Sequence, residues 1–308
     1  MEGEGDLPRE SGEMIAEDPR NWLRPVFEFH KTDTFRSLLP LLVGLGLFTA
    51  VVSWVEMDYL HMRDTHPLRN ITQMHGLLGF AISMLLVFRT NTAYERWWEG
   101  RKLWGSLVNC SRNLAIKVNA SLSPEDSMNR TLFARLIGLF AQELCTHLLR
   151  EETRLALDER PHPELPDFDR KKHLPTQIAS MLFQRVQHMR KAEVFSDTDV
   201  LLMINELTAF MDICGACERI KNTPIPYSYT AFIKKFIVAY TTTLPFGYVF
   251  ALNWLAVPVV MFVFYVLASL ELIAEQIEDP FGRDRNDLPM EKLSQMIASN
   301  AKDILSAS

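Results

Sequence analysis

Charge is missing from three long stretches of this 308-residue chain, although charged residues make up 23% of the whole. Residues 37–55 and 236–270 carry no charged side chain, and residues 70–88 carry none apart from His75. Two of the stretches have the length of one membrane crossing, and the third can hold two short ones. Residues 37–55 include eleven Leu, Val or Phe, each of which favours insertion by about 0.3–0.6 kcal/mol. The buried helices of a soluble protein normally keep a polar face, which these stretches lack.

The sequence also lacks enzyme motifs and strand patterns. It contains no glycine-rich phosphate loop, no GxSxG elbow and no HExxH pair. Of four cysteines, Cys214 and Cys217 have redox or half-zinc spacing, but no second pair accompanies them, which favours helix packing. No basic stripe indicates nucleic acid binding, and the net charge is −6. We therefore expect an all-α membrane protein that is not an enzyme, requires no cofactor and binds no nucleic acid.

Basic residues beside the apolar stretches predict the orientation of four transmembrane helices. TM1 is predicted at 37–55 and TM2 at 70–88, with TM3 and TM4 within 236–274. The flanks predicted to be cytoplasmic carry Arg24, Lys31, Arg36, Arg89, Arg96, Arg101, Lys102, Lys234 and Lys235. Both termini are then cytoplasmic, in an inner (plasma) membrane. The remaining predicted segments are a disordered acidic tail (1–20), an N-terminal segment with TM1 and TM2 (21–88), a helical cytosolic region (89–235) and a C-terminal cytosolic segment (275–308).

Local signals place helix boundaries in the cytosolic region. Ser123, followed by Pro124 and two acids, is predicted to cap one helix, and Ser196 with Asp199 to cap another. The proline-rich run NTPIPYSYT, residues 222–230, predicts a hinge before TM3. Pro245 is expected to kink or to start a helix.

The residues of TM2 predict two distinct helix faces. Phe80, Met84 and Phe88 recur every four positions and share one face, because each step of four rotates the helix by only about 40°. Around a symmetry axis they would form stacked apolar rings that can close to ions by dewetting. Otherwise the stripe contacts lipid or TM1. A neighbouring face of small residues predicts close helix packing: Gly76, Gly79 and Ser83.

Two ionisable residues at the ends of TM2 each leave two interpretations open. His75, near the outer end, is either a pathway residue or an interfacial hydrogen-bonding group. Arg89, at the inner end, either forms a cationic ring under the neck or pairs with acids of TM4. The candidate acids are Glu271, Glu275 and Glu278.

Three separated motifs resemble the bacterial branch of the bestrophin family. They are the run GLLGFAISMLLVFRTNTAYERWWEGRKLWG at 76–105, NTPIPYSYT, and EQIEDPFGRDRNDLP at 275–289. The resemblance implies a homopentameric ion channel with four membrane helices per subunit, a large helical cytosolic part and one central pore. The three neck positions of the family fall on Phe80, Met84 and Phe88.

The resemblance implies two further sites, each with an alternative. A cytosolic constriction falls at about Thr198, where a hydroxyl would make a wetter ring than the apolar side chains of relatives. Alternatively, this region only caps a helix. In animal members, acidic residues after Pro-Phe-Gly bind calcium. The corresponding residues here are Asp284 and Asp287, but the positive charges of Arg283 and Arg285 oppose cation binding. The alternative is a structural turn.

The expected function is a pentameric channel that passes small monovalent inorganic ions across the bilayer. A cation is slightly favoured over chloride, because the chain follows the bacterial pattern. The alternative is a non-conducting membrane scaffold or regulatory protein that binds a cytosolic partner.

Overall fold

The fold is helical throughout the residues that the structure, a computed structural model, describes: 33–59, 71–149, 173–284 and 286–306. Within them are the helices α1 (Asp33–Trp54), α2 (Ile71–Ser121), α3 (Ser127–Leu149), α4 (Leu174–Lys191), α5 (Asp197–Asn222), α6 (Tyr227–Thr243), α7 (Pro245–Leu252), α8 (Ala256–Glu278) and α9 (Met290–Ser306). The π-helical turn Val55–Tyr59 follows α1, and the 3-10 turn Asn253–Leu255 joins α7 to α8. The all-α prediction is confirmed, and the predicted tail at 1–20 lies outside the described residues.

The chain divides into two compact units, each with its own core. The first, here the α3 unit, comprises the described residues within 96–224 and 279–308, and the second, the α1 unit, those within 16–95 and 225–278. Helix α2 contributes to both.

The α1 unit contains the three apolar stretches, and their described residues are helical as predicted, with a break at Leu244. Helix α1 packs along α8, and Gly46 lies so close that a Cβ there would be 2.7 Å from Sδ of Met261. Helix α6 begins at Tyr227, nine residues before the uncharged stretch, and α8 continues to Glu278. The helices of the third stretch therefore extend into polar ends. Pro245 occupies the first position of α7, where its missing N–H costs no hydrogen bond.

Five helical stretches in the described residues are long and apolar enough to cross a membrane. They are Thr34–Tyr59, Thr72–Ser121, Ser127–Leu149, Asp197–Asn222 and Tyr227–Glu278. The last has 52 residues and can hold two crossings. Two of the five, α3 and α5, belong to the region predicted to be cytosolic, so the count of four crossings stays a prediction.

The α3 unit is a bundle in which α3 packs against α4 and α9, and α4 packs against α5. Its core is apolar and rich in aromatics; Phe140 meets Phe210 edge to face with ring centroids 4.7 Å apart. A Cβ at Gly138 would be 2.8 Å from Cβ of Ala298, so glycine allows α9 to approach α3 this closely.

One of the two predicted caps of this unit is confirmed and the other is wrong. Ser196 and Asp199 form a reciprocal capping box at the start of α5. Ser123 does not cap α3: it opens a turn, and the Asp126 carboxylate accepts the N–H of Asn129 at 3.2 Å. Because Pro124 follows Ser123 and favours the second position of a turn, the helix starts three residues later than predicted.

Candidate functional site

Helix α2 has one exposed and one buried face over its apolar segment. Phe80, Met84 and Phe88 are 70%, 42% and 55% exposed, whereas Ile82 and Leu86 are buried. At about 100° of rotation per residue, the two faces point roughly 180° apart. The residues predicted to line a neck therefore share a face that no described part of the same chain covers. Whether that face lines a pore stays a prediction.

The small residues of α2 differ in their surroundings. A Cβ at Gly79 would be 2.8 Å from the phenol oxygen of Tyr240 in α6, so only glycine fits there without a shift. Ser83 donates a hydrogen bond to the Gly79 carbonyl oxygen within the helix, at 2.7 Å. A Cβ at Gly76 would meet open space. Of these three predicted packing residues, Gly79 lies directly against another described helix.

His75 is buried among polar side chains of the α1 unit. Its Nε2 lies 3.0 Å from Oγ1 of Thr243, and its ring lies beside those of Tyr240 and Tyr248. The observed hydrogen bond joins α2 to the end of α6. A role in an ion entryway stays a prediction.

Arg89 forms a buried ion pair at the C-terminal end of the apolar segment of α2. Its side chain is fully buried, with Nη2 2.7 Å from Oε2 of Glu278 and Nε 3.6 Å from Oε2 of Glu271. The other oxygen of Glu278 accepts the backbone N–H of Ile225 at 2.6 Å, whereas Glu275 pairs with Lys234. The predicted pairing with TM4 acids is thus confirmed for Glu271 and Glu278. Because Arg89 lies on the buried face of α2, it is not placed among the neck residues.

Glu95 is a residue of the exposed face that the sequence analysis missed. It is exposed and follows Phe88 by seven residues, which places it on the same side of α2. Continuing the four-residue spacing of the neck positions past Phe88 does not reach Glu95. Positions seven residues apart also share a helix face, and that spacing does reach it. Its carboxylate is a fixed negative charge beyond the apolar stripe.

Thr198 lies in the first turn of α5 and is exposed. Asp197 beside it pairs with Arg190 at 2.6 Å, and Asp199 completes the capping box. The helix start predicted for this region is confirmed, and the constriction stays a prediction.

The loop before α9 is closed by Asp287. Its Oδ2 accepts the N–H of Asp284 at 2.6 Å, and the backbone of Asp287 returns a hydrogen bond to the Asp284 carbonyl oxygen. A Cβ at Gly282 would lie within van der Waals overlap of this carboxylate, so glycine is required there. The expected structural turn is therefore present.

Asp287 also leaves one buried acceptor free. Its Oδ1 has no hydrogen-bond partner among the described residues, and burial raises the pKa of the carboxyl to about 6. Asp284 is exposed nearby. Calcium takes six to eight oxygen ligands, of which these two carboxylates and loop carbonyls would be part.

These observations define a helical integral membrane protein with an unpartnered apolar stripe on a long helix. Within that class, the chain belongs to the bacterial and fungal bestrophin family: the family model described as Bacterial/Fungal Bestrophin protein matches residues 14–303. Bestrophin membership, predicted from three motifs, is confirmed.

Relatives and solved structures agree with this assignment. The voltage-dependent anion channel-forming protein of Synechocystis sp. is 34% identical over 234 residues, covering 74% of this chain and 75% of the relative. Its namesake in Escherichia coli is 30% identical over 294 residues, covering 92% and 91%. The crystal structure of a variant of a bacterial bestrophin homologue from Klebsiella pneumoniae is similar, with a TM-score of 0.74 and 26% identity over 86% of this chain and 97% of that one. The family consists of ion channels, and these relatives are named for anions, so their names do not support the expected cation preference.

Proposed function

We propose that the chain forms a homopentameric ion channel in which the exposed face of α2 lines one central pore. The observation that carries this proposal is the pair of opposed faces on α2. One face is buried against the helices of its own unit, and the other presents Phe80, Met84 and Phe88 without cover. An uncovered apolar stripe on a membrane helix is explained if copies of the helix surround a shared axis.

Rings of these three side chains would form a hydrophobic neck. Water withdraws from a narrow apolar constriction, and an ion that entered it would lose its hydration shell. The neck can therefore close the pore to ions without the movement of a charged side chain. The channel passes small monovalent inorganic ions down their gradients, in an inner membrane with both termini cytoplasmic. No bond is made or broken, and no cofactor is needed. Thr198 would form a second, wetter constriction.

Two observations disagree about the charge of the permeant ion. Relatives are named as anion channels, whereas Glu95 places a carboxylate on the proposed pore face. A ring of carboxylates beside an uncharged neck raises the local concentration of cations. We therefore retain the cation preference as the proposal, with anion conduction as the second candidate.

Calcium binding at Asp284 and Asp287 is a subsidiary proposal, supported by the partnerless Oδ1 of Asp287. An ion there would sit at the loop between α8 and α9. Arg283 is exposed in the same loop and opposes cation binding. Conduction does not depend on this site.

Currents through planar bilayers test the channel proposal. Purified wild-type protein is expected to give unitary currents, and Met84→Ala is expected to raise the conductance or the open probability because it widens the neck. Leu41 is an exposed apolar residue of α1, so Leu41→Ala is the matched control and is expected to behave as wild type. A non-conducting scaffold would give no current from any of the three proteins.

A further inference from the structure

Two histidines and a glutamate from three different helical elements converge in the α3 unit, at a site that ion conduction does not use. His147, His173 and Glu218 each offer one ligand atom, and these atoms lie within 4.8 Å of one another. In the described part of the chain, this is the one such group of three. We propose that His147, His173 and Glu218 bind a divalent transition-metal ion of the zinc class.

The distances suit a small ion. Nε2 of each histidine lies 2.8 Å from the same oxygen, Oε1 of Glu218, and the two Nε2 atoms lie 3.2 Å apart. The corners of such a triangle are about 1.7 Å from its centre. An ion about 2.0–2.1 Å from all three atoms, the usual zinc distance to nitrogen and oxygen, would therefore sit about 1 Å above their plane. The three atoms form one face of a coordination shell and leave an outer position for water.

The local structure holds each ligand in place. His147 lies in the last turn of α3, His173 is the N-cap of α4, and Glu218 lies near the end of α5. The two imidazole rings meet at right angles with centroids 4.5 Å apart, so both can aim a nitrogen at one point.

The cap also orients His173. Its Nδ1 lies 2.6 Å from Oγ1 of Thr176 and 3.3 Å from the Thr176 N–H. In the cap, Nδ1 accepts the Thr176 N–H. Metal binding through Nε2 would place the ring proton on Nδ1, so the bond from the Thr176 N–H would be given up and Nδ1 would donate to the Thr176 hydroxyl oxygen instead, the outer contact that metal-bound histidines usually make.

The ligand types select the ion. Two imidazoles and one carboxylate suit zinc and its neighbours, whereas calcium and magnesium prefer oxygen ligands alone. The three side chains are 16%, 31% and 29% exposed, so an ion can reach them from solvent. Once bound, it links α3, α4 and α5.

Zinc titration of the full-length protein in detergent, purified without a histidine tag, tests the proposal. We expect one zinc ion per chain, detected by calorimetry, together with a rise in the thermal unfolding midpoint that calcium and magnesium do not reproduce. Glu218→Gln keeps the volume and an acceptor oxygen but removes the charge, and is expected to weaken zinc binding at least about tenfold.

Two further variants complete the test. His147→Gln should lose binding as Glu218→Gln does, while His188→Ala, which removes an exposed histidine of α4, should bind zinc like wild type. Cobalt bound to wild type should show the visible absorption of a four-coordinate ion with nitrogen ligands. Equal zinc affinity in wild type and in folded Glu218→Gln, or no stoichiometric binding by wild type, would overturn the proposal.

Discussion

At the scale of single residues, burial distinguishes two ion pairs that look alike in the sequence. Arg89 is fully buried between Glu271 and Glu278, whereas the pair of Arg219 with Glu99 is 65% and 43% exposed although its distance is also 2.7 Å. Removing one member of a buried pair leaves an uncompensated charge away from water, while an exposed charge is simply hydrated. The two sites form a natural comparison within one protein.

Arg89→Gln is therefore expected to lower the free energy of unfolding by about 3–5 kcal/mol. Arg219→Gln, the matched exposed change, should cost less than about 1 kcal/mol. Thermal unfolding in detergent measures both. Equal small losses would show that the Arg89 ion pairs do not hold α2 and α8 together.

A second residue-scale prediction concerns ion selectivity. Glu95→Gln removes the fixed negative charge on the exposed face of α2 without changing the volume, so the permeability ratio of cation to anion should fall. Reversal potentials under a salt gradient measure that ratio. Glu125→Gln, in the exposed turn before α3, is the control and should leave it unchanged. A wild-type channel already selective for anions would refute the role of Glu95 and establish the second candidate.

At the scale of elements, the start of α5 depends on the capping box. Hydrogen bonds from the Ser196 hydroxyl and backbone N–H, at 2.6 and 2.9 Å, hold the pKa of Asp199 below its ordinary value. The folded state therefore binds the Asp199 proton more weakly than the unfolded state does. Its contribution to stability is present above the unfolded pKa of about 4 and is lost as the pH falls below it.

Ser196→Ala is expected to lower the free energy of unfolding at neutral pH by about 0.5–2 kcal/mol. Because the variant lacks the hydroxyl that holds the carboxylate, it should also lose less stability than wild type on acidification from about pH 4 downward. Thr198→Ala, two positions later and outside the cap, should unfold like wild type. Parallel acid curves for Ser196→Ala and wild type would count against the cap.

Elements are also where the limits of the sequence are clearest. The uncharged stretches predicted helices, and those helices are present. The uncharged stretch of TM2, however, ends at Phe88, while the helix α2 continues to Ser121. A change of composition reports a change of solvent and not the end of a hydrogen-bonded helix. The prediction of Ser123 as a cap was wrong because a serine followed by proline suits a turn equally well. The carboxylate of Asp126 caps the helix instead.

Sites whose residues lie far apart in the chain could not be predicted from the sequence, for a different reason. His147, His173 and Glu218 are separated by 26 and 45 residues, so no short motif contains them. Only the packing of α3, α4 and α5 brings them together. The contact of Tyr240 with Gly79 was hidden in the same way, although a small residue on α2 indicated that some helix approaches there.

At the scale of the whole molecule, each of the two units has a complete core, yet α2 keeps an uncovered apolar face. The family model, the relatives and the solved structures agree that this chain is a bestrophin, and the relatives are named as anion channel-forming proteins. We propose in addition that the face with Phe80, Met84 and Phe88 meets the permeating ions.

Native cysteines do not obstruct a thiol-based test of that claim. All four are buried, and burial raises the pKa of Cys110, Cys145 and Cys217 to about 12, so they stay protonated and unreactive at neutral pH. A cysteine placed on the exposed face of α2 would be the reactive one.

The most direct measurement is therefore the bilayer current of Met84→Cys before and after a charged, membrane-impermeant thiol reagent. The reagent is expected to reduce that current irreversibly and to leave wild type and Leu41→Cys unchanged. An unchanged Met84→Cys current after labelling verified by mass spectrometry would contradict a pore lined by this face of α2.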